Sequence, residues 1–146
     1  MGRFLERRFV KPVLLCPEEQ QRITQTVRET LLSHEHLVFA YVYGSFARGE
    51  PWRDLDVALY TREAQETFIA LDLAVALQEA TGFDADVTVM NKAPVALQFA
   101  IFRDGQLLFS RDEALRTTRL EKVARQYRDY AHFRNMFLGV AGARPQ

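Results

Sequence analysis

A short glycine-serine turn and a pair of aspartates have the residue types and spacing expected of a catalytic site. The turn is Gly44–Gly49, with the sequence GSFARG, and Asp54 and Asp56 follow it after four residues. The small residues Gly44 and Ser45 at the start of the turn let backbone N–H groups face the oxygens of a polyphosphate. Two aspartates separated by one residue point to the same side of a strand, roughly 6–7 Å apart. Because Mg²⁺ prefers oxygen ligands, the two features together predict chemistry on a nucleotide.

A third carboxylate comes from the stretch Phe83–Met90, which is predicted to form a strand. The two inner valines of this stretch share one face, which leaves Asp86 on the other. Asp84 has the same parity but lies nearer the preceding loop, so we favour Asp86. If this strand neighbours the one that carries Asp54 and Asp56, three carboxylates can share one metal cluster.

Composition narrows the class of protein. The chain has 146 residues, of which 48% are hydrophobic and 26% charged, as expected for one compact domain with a true core. Nineteen basic residues balance nineteen acidic ones, so no overall field attracts strong nucleic-acid or membrane binding. The single cysteine, Cys16, excludes an internal disulfide and is predicted to be a packed, unreactive thiol. Without a membrane-length apolar run or a signal-peptide pattern, we expect a cytoplasmic protein.

The elements that position the candidate site begin with a helix from Pro17 to about Ser33. The apolar run Leu37–Tyr43 then predicts a central strand that leads directly into the turn. Asp54–Tyr60 predicts the second strand. Its aspartates lie on one face, and the opposite face is apolar and expected to pack in the core. The pattern indicates an α/β (α+β) protein with a small mixed β-sheet flanked by helices.

The rest of the chain is predicted from apolar spacing and turn residues. A helix from about Arg62 to Thr81 is expected to bury a stripe near one face, made of Phe68, Leu71, Val75 and Leu77. A further helix follows the turn at residues 91–94. Asp104-Gly105 predicts a hairpin-type turn before a short edge strand, residues 106–109. The expected divisions are an N-terminal arm (1–16), a catalytic domain (17–110), a C-terminal helix packing on it (111–138) and a flexible tail (139–146).

The turn and the paired aspartates together resemble the signature of the DNA polymerase β-like nucleotidyltransferase superfamily, in its minimal nucleotidyltransferase branch. Asp86-Val87-Thr88-Val89 resembles the third acidic strand of that family. The resemblance covers roughly Leu37 to Met90 and implies a polymerase β-like fold. Many proteins of this branch are antitoxins paired with a helical HEPN ribonuclease toxin. The resemblance therefore implies transfer of AMP from ATP to a toxin tyrosine, in a complex with that toxin.

Phosphoryl transfer explains why such a site needs carboxylates. Charge gathers on the attacking oxygen, the non-bridging oxygens and the leaving pyrophosphate, and Mg²⁺ held by carboxylates offsets it. We expect Asp54 and Asp56 to position metal and triphosphate. Asp86 is expected to complete the metal site and to accept the proton of the incoming hydroxyl.

The turn is expected to hold the phosphates. Gly44 and Ser45 would bind the β- and γ-phosphates through backbone N–H groups and the serine hydroxyl. Arg48 is expected to add positive charge near the pyrophosphate, and an ordinary surface arginine is an equally good interpretation of that position.

The acceptor is left open by the sequence. Only about 55 residues follow the last acidic strand, which favours a macromolecular acceptor that brings its own surface. The final helix mixes arginines with aromatic residues, as an interaction face does, and an ordinary packing helix fits equally well. Two other hypotheses remain: a non-catalytic antitoxin of the same fold, and a transferase acting on a small molecule such as an antibiotic.

Overall fold

A computed structural model describes residues 12–62 and 66–138. The helices of this part are α1 (Pro17–Leu32), α2 (Gly44–Ala47), α3 (Glu66–Thr81), α4 (Val95–Asp104) and α5 (Glu113–Leu138), with a 3₁₀ turn at Met90–Lys92. The strands are β1 (Leu37–Tyr43), β2 (Leu55–Thr61), β3 (Ala85–Val89) and β4 (Gln106–Ser110). Most of the predicted N-terminal arm and the whole predicted tail lie outside the described residues.

The four strands form one mixed sheet in the order β3-β2-β1-β4. β1 runs antiparallel to both β2 and β4, whereas β2 and β3 are parallel. The first six residues of β1 are buried, as its continuous apolar sequence requires of a central strand. The predicted mixed α/β architecture, with helices around a small sheet, is confirmed.

Helices cover both faces of the sheet. On one face, Val57 and Leu59 pack with Leu31 of α1 and Leu77 of α3. On the other face, Phe39 and other aromatic residues pack with α4 and the first part of α5. The ends of β2 and β3 that carry Asp56 and Asp86, and the end of β1 that enters the turn, therefore extend from a packed core.

Of the stripe predicted to be buried on α3, Leu77 is buried as expected, but the other three residues are exposed. Phe68, Leu71 and Val75 are 78%, 64% and 47% exposed, whereas Leu73 and Leu77 are fully buried. Apolar residues occur on several sides of this helix, so its spacing did not define which side faces the sheet. Packing against the sheet and α1 decides the orientation instead.

Three local predictions also need correction. β2 begins at Leu55, so Asp54 lies just before the strand. Asp104 is the last residue of α4, and the N–H of Gly105 donates to Ile101 O at 2.8 Å, so this dipeptide ends a helix and forms no hairpin. The strand that follows, β4, pairs with β1, which is distant in the sequence. β4 lies at an edge of the sheet, as predicted. Cys16 is exposed rather than packed.

Among the described residues, no helix is both long enough and apolar enough to cross a membrane.

Candidate active site

The glycine-serine turn follows the end of β1 directly and contains the single helical turn α2. Gly44 has φ +73°, a left-handed backbone conformation that residues with a Cβ atom rarely adopt. The aromatic ring of buried Phe46 packs edge-on against Trp52, with ring centroids 4.9 Å apart. The turn therefore has a fixed backbone and an anchored base, as a phosphate-binding turn requires.

Gly44 lies directly against the carboxylate of Asp56. A Cβ atom built on Gly44 would overlap Asp56 Oδ2 and crowd the rest of that carboxyl group. The absence of a side chain at Gly44 thus allows the turn backbone and the acidic side chain to share one site. This contact joins the two motifs that the sequence presented separately.

Asp86 lies next to Asp56 in the sheet. The parallel register of β2 and β3 pairs these two residues, and Asp86 is exposed. Asp54 is exposed one residue before β2, while Asp84 is buried just before β3. The sheet therefore brings Asp86 to the position that strand parity predicts, at the same end as Asp54 and Asp56.

Electrostatics reflect this crowding of acidic groups. The pKa of Asp56 is raised from its ordinary value of 3.8 to about 6, first because burial penalises the charged carboxylate. The negative charges of Asp86 and then Asp54 raise it further, and Arg48 partly offsets them. A cation bound at Asp56 would therefore favour its charged form, by offsetting both the burial and the neighbouring negative charges.

Arg48 lies at the end of the turn. Its Nε donates to Glu50 Oε1 at 3.1 Å, and its Nη2 lies 3.4 Å from Ser45 Oγ. The Arg48 side chain is about half exposed. It is therefore close to Ser45 and still accessible to a ligand at the turn.

A cleft of about 300 Å³ opens beside the turn. Its lining consists of Pro12, Ser45, Pro51, Trp52, Arg53, Asp54 and Asp56. Neither Trp52 nor Arg53 was identified from the sequence as a candidate site residue. The position of Arg53 directly before Asp54 was the available signal for the arginine. A backbone bridge between Val13 and Trp52 shapes this wall of the cleft.

Within residues 12–62 and 66–138, no three His, Cys, Asp or Glu side chains are arranged so that they could hold a metal ion. The donor chemistry still fits Mg²⁺, because the group offers carboxylate oxygens and its charges repel one another around Asp56. Holding the ion would therefore require the side chains of the acidic group to reorient.

Tyr43 was missed by sequence reasoning because it ends an apolar strand and matched the core pattern. The hydroxyls of Tyr43 and Thr88 share a hydrogen bond of 3.0 Å. Burial, more than the nearby charges of Asp56 and Asp86, raises the pKa of the Tyr43 phenol. Its side chain thus borders the acidic group.

Comparisons with known proteins identify the family and related folds. Residues 25–114 match the family model described as polymerase beta, nucleotidyltransferase. No curated protein matches the chain. Among solved structures, the complex of a tri-AMPylated Shewanella oneidensis HEPN toxin with its MNT antitoxin has a similar fold. The similarity has a TM-score of 0.68 and 19% identity over 82% of this chain and 96% of that chain.

A toxin-antitoxin structure with AMP-PNP is similar at a TM-score of 0.70 and 19% identity, over 80% of this chain and 95% of that chain. The MntA-HepT toxin-antitoxin structure gives a TM-score of 0.67 at 18% identity, over 82% and 96%. At such identities these likenesses establish a shared fold. The match to the family model spans more than half of the 146 residues. The chain therefore belongs to the polymerase beta nucleotidyltransferase family.

Proposed function

We propose that the protein transfers AMP from ATP to a tyrosine hydroxyl of a HEPN-type toxin, with Mg²⁺ as the metal, and so acts as a cytoplasmic antitoxin. The observation that carries the proposal is the contact between the Gly44 turn and Asp56, which is itself in register with Asp86. The similar folds of an MNT antitoxin bound to an AMPylated toxin and of a complex with AMP-PNP support this choice of substrate and partner.

The turn would bind the triphosphate. The backbone N–H groups at Gly44 and Ser45 and the Ser45 hydroxyl are assigned to the β- and γ-phosphates. Arg48, close to Ser45 and half exposed, is assigned to the charge of the leaving pyrophosphate. Arg53, on the wall of the same cleft, is a second cation within reach of a bound nucleotide.

The acidic group would hold Mg²⁺ through Asp54, Asp56 and Asp86. When bound, the ion supplies positive charge to the phosphate oxygens during transfer. Exposed Asp86 is assigned the role of general base, because a hydroxyl from another protein can approach it. The tyrosine oxygen forms a bond to the α-phosphorus, the bond from that phosphorus to the pyrophosphate oxygen breaks, and the tyrosine proton passes to Asp86.

The far end of α5 is assigned to partner contact. The earlier part of the helix packs on the domain, since Val123 is fully buried and Tyr127 stacks on Phe99 with centroids 4.2 Å apart. Beyond it, large side chains are 49–63% exposed: Tyr130, Phe133 and Met136. Aromatic residues and methionine of this kind are enriched in protein interfaces.

The test combines the purified protein, a candidate HEPN toxin, ATP and Mg²⁺, followed by mass spectrometry of the toxin. We expect adenylyl groups on toxin tyrosines and loss of ribonuclease activity. Asp56→Asn should abolish the modification, whereas Asp72→Asn, which changes an exposed aspartate of α3, should not.

Two outcomes would overturn the proposal. Neutralisation of the toxin without modification would indicate an antitoxin that acts by contact alone. Modification of a hydroxyl-bearing small molecule, with the toxin left unmodified, would indicate a small-molecule transferase.

A further inference from the structure

The hydrogen bond between Tyr43 and Thr88 joins two strands that are not neighbours. β2 lies between β1, which ends at Tyr43, and β3, which contains Thr88. The sheet register pairs Tyr43 with Asp56 and Thr88 with Ala58. The tyrosine side chain must therefore reach across β2 to bring its hydroxyl within 3.0 Å of Thr88 Oγ1.

Ala58 of β2 lies between Tyr43 and Thr88, and its small side chain allows their hydrogen bond. Ala58 is fully buried and carries only a methyl group, so it leaves room for the phenol ring to pass above the strand. A larger side chain at that position would occupy the space between Tyr43 and Thr88. The connection is therefore consistent with the local sequence of all three strands.

β3 needs restraint because it lies at an edge of the described sheet and pairs only with β2. Its ends are held to β2. Leu55 N–H donates to the Asp84 carbonyl at 2.9 Å, and the Asn91 side chain forms two hydrogen bonds, of 2.8 and 3.0 Å, with the Thr61 backbone. The Tyr43–Thr88 bond differs from these contacts because it comes from β1.

The positions of Tyr43 and Thr88 in the chain relate their hydrogen bond to the candidate active site. Tyr43 directly precedes Gly44, and Thr88 lies two residues after Asp86 on the same side of β3. The bond thus connects the backbone that enters the phosphate-binding turn with the strand that carries the assigned base. Transfer depends on the spacing of these two groups, since misplacement of reacting groups by about 1 Å can cost about 10²-fold in rate.

We propose that Tyr43 and Thr88 are positioning residues that hold Asp86 at a fixed place relative to the phosphate-binding turn. The role rests on the proposed function, because it concerns the spacing between the bound nucleotide and the base. Neither side chain takes part in bond formation. Removal of either hydroxyl should impair transfer by loosening β3 while leaving nucleotide binding at the turn intact.

The experiment uses the full chain with the substitutions Tyr43→Phe, Thr88→Val and both together. In AMP transfer to the toxin, we expect kcat to fall about tenfold in each single variant, with KM for ATP changed less than about twofold. The double variant should resemble the single ones, because both remove the same bond. Thr88→Ser, which keeps the hydroxyl, should restore kcat.

Amide hydrogen exchange provides a readout that does not require activity. Exchange of the β3 amides should accelerate in Tyr43→Phe and Thr88→Val, while β1 and β4 keep their protection. Tyr41→Phe is the matched control. Its hydroxyl accepts a 2.7 Å hydrogen bond from Arg116 of α5, so its loss should leave β3 exchange and kcat unchanged.

Unaltered β3 exchange in both single variants, or additive losses of kcat in the double variant, would overturn the positioning role. A wild-type protein that transfers no AMP would overturn the proposed function instead. The exchange comparison would in that case still decide whether the bond holds β3.

Discussion

Asp56 and Asp86 occupy paired positions on the parallel strands β2 and β3. Their side chains come from segments separated by a whole helix, yet the register places them side by side at the end of the sheet that carries the Gly44 turn. Burial and the charges of Asp86 and Asp54 raise the pKa of Asp56 to about 6. This arrangement connects the fold to the proposed nucleotide chemistry, and it leads to the predictions below.

Gly44→Ala and Gly49→Ala are matched tests of the turn. Both glycines have positive φ, +73° and +71°, so the backbone strain of each alanine should cost about 1 kcal/mol in the free energy of unfolding. Overlap with Asp56 adds to the cost of Gly44→Ala. Only the Cβ at Gly44 meets a neighbour, the Asp56 carboxylate, while the Cβ at Gly49 enters open space. We expect Gly44→Ala to lower transfer at least about tenfold through displacement of Asp56.

The comparison requires denaturant unfolding and transfer rates for both variants. Gly49→Ala should retain most of its transfer activity. Equal transfer rates in the two variants would contradict the assignment of the Gly44–Asp56 contact to the site.

The pH dependence of stability should report on Asp56 in metal-free protein. The folded protein keeps this proton up to pH about 6, whereas the ordinary pKa is 3.8, so the folded state binds more protons between these values. Rising pH therefore lowers the free energy of unfolding across that interval. We expect about 1 kcal/mol, less than the full shift implies, because water screens a half-buried carboxylate.

Urea denaturation of wild type and Asp56→Asn at pH 4 to 7, in the presence of a chelator, measures this effect. The variant should lack this part of the pH dependence and be the more stable protein at pH 7. A wild-type stability that rises with pH by as much as that of the variant would exclude the raised pKa.

The two sides of α3 offer a matched pair of leucines. Leu73 is fully buried and Leu71 is 64% exposed. Leu73→Ala should reduce the free energy of unfolding by about 2–5 kcal/mol through lost burial and a cavity. Leu71→Ala should change it by less than about 0.5 kcal/mol. Thermal or chemical unfolding of both variants checks the orientation of the helix, and equal losses would be incompatible with it.

Arg111, which is distant in the sequence, caps the carboxyl end of α1. Its guanidinium donates to the backbone carbonyls of Leu32, His34 and Leu37, the last two at 2.6 and 2.8 Å. Arg111→Ala should cost about 2–3 kcal/mol because charge-assisted hydrogen bonds to these carbonyls disappear. Unfolding in urea measures the loss, with Arg128→Ala as the control at an exposed arginine that should have almost no effect. A similar stability for the two variants would count against the role of Arg111.

The strands and the turn were predictable because short-range rules determine them. A short continuous apolar run directly before a turn is typical of a buried strand between two layers, which located β1. Parity within a strand oriented Asp56 and Asp86 correctly. The pairing of β2 with β3 needed only the assumption that the two strands are neighbours.

Other features depend on contacts that sequence spacing does not encode. The side of α3 that faces the sheet is decided by packing, and Phe68 and Leu71 looked as apolar as Leu73. The dipeptide Asp104-Gly105 has the composition of a hairpin turn, yet the strand that follows it pairs with β1. Tyr43 escaped notice because its role depends on a hydroxyl that reaches Thr88, 45 residues away.

Transfer by Asp86→Asn and Asp84→Asn tests the account most directly. The two aspartates have the same strand parity, but Asp86 is exposed beside Asp56 while Asp84 is buried before β3. Each variant is compared with wild type in single-turnover AMP transfer from ATP to the HEPN toxin, scaled to the folded fraction. We predict that Asp86→Asn lowers the rate by about 10²-fold or more and that Asp84→Asn retains most of it. Wild-type rates in Asp86→Asn would contradict the account.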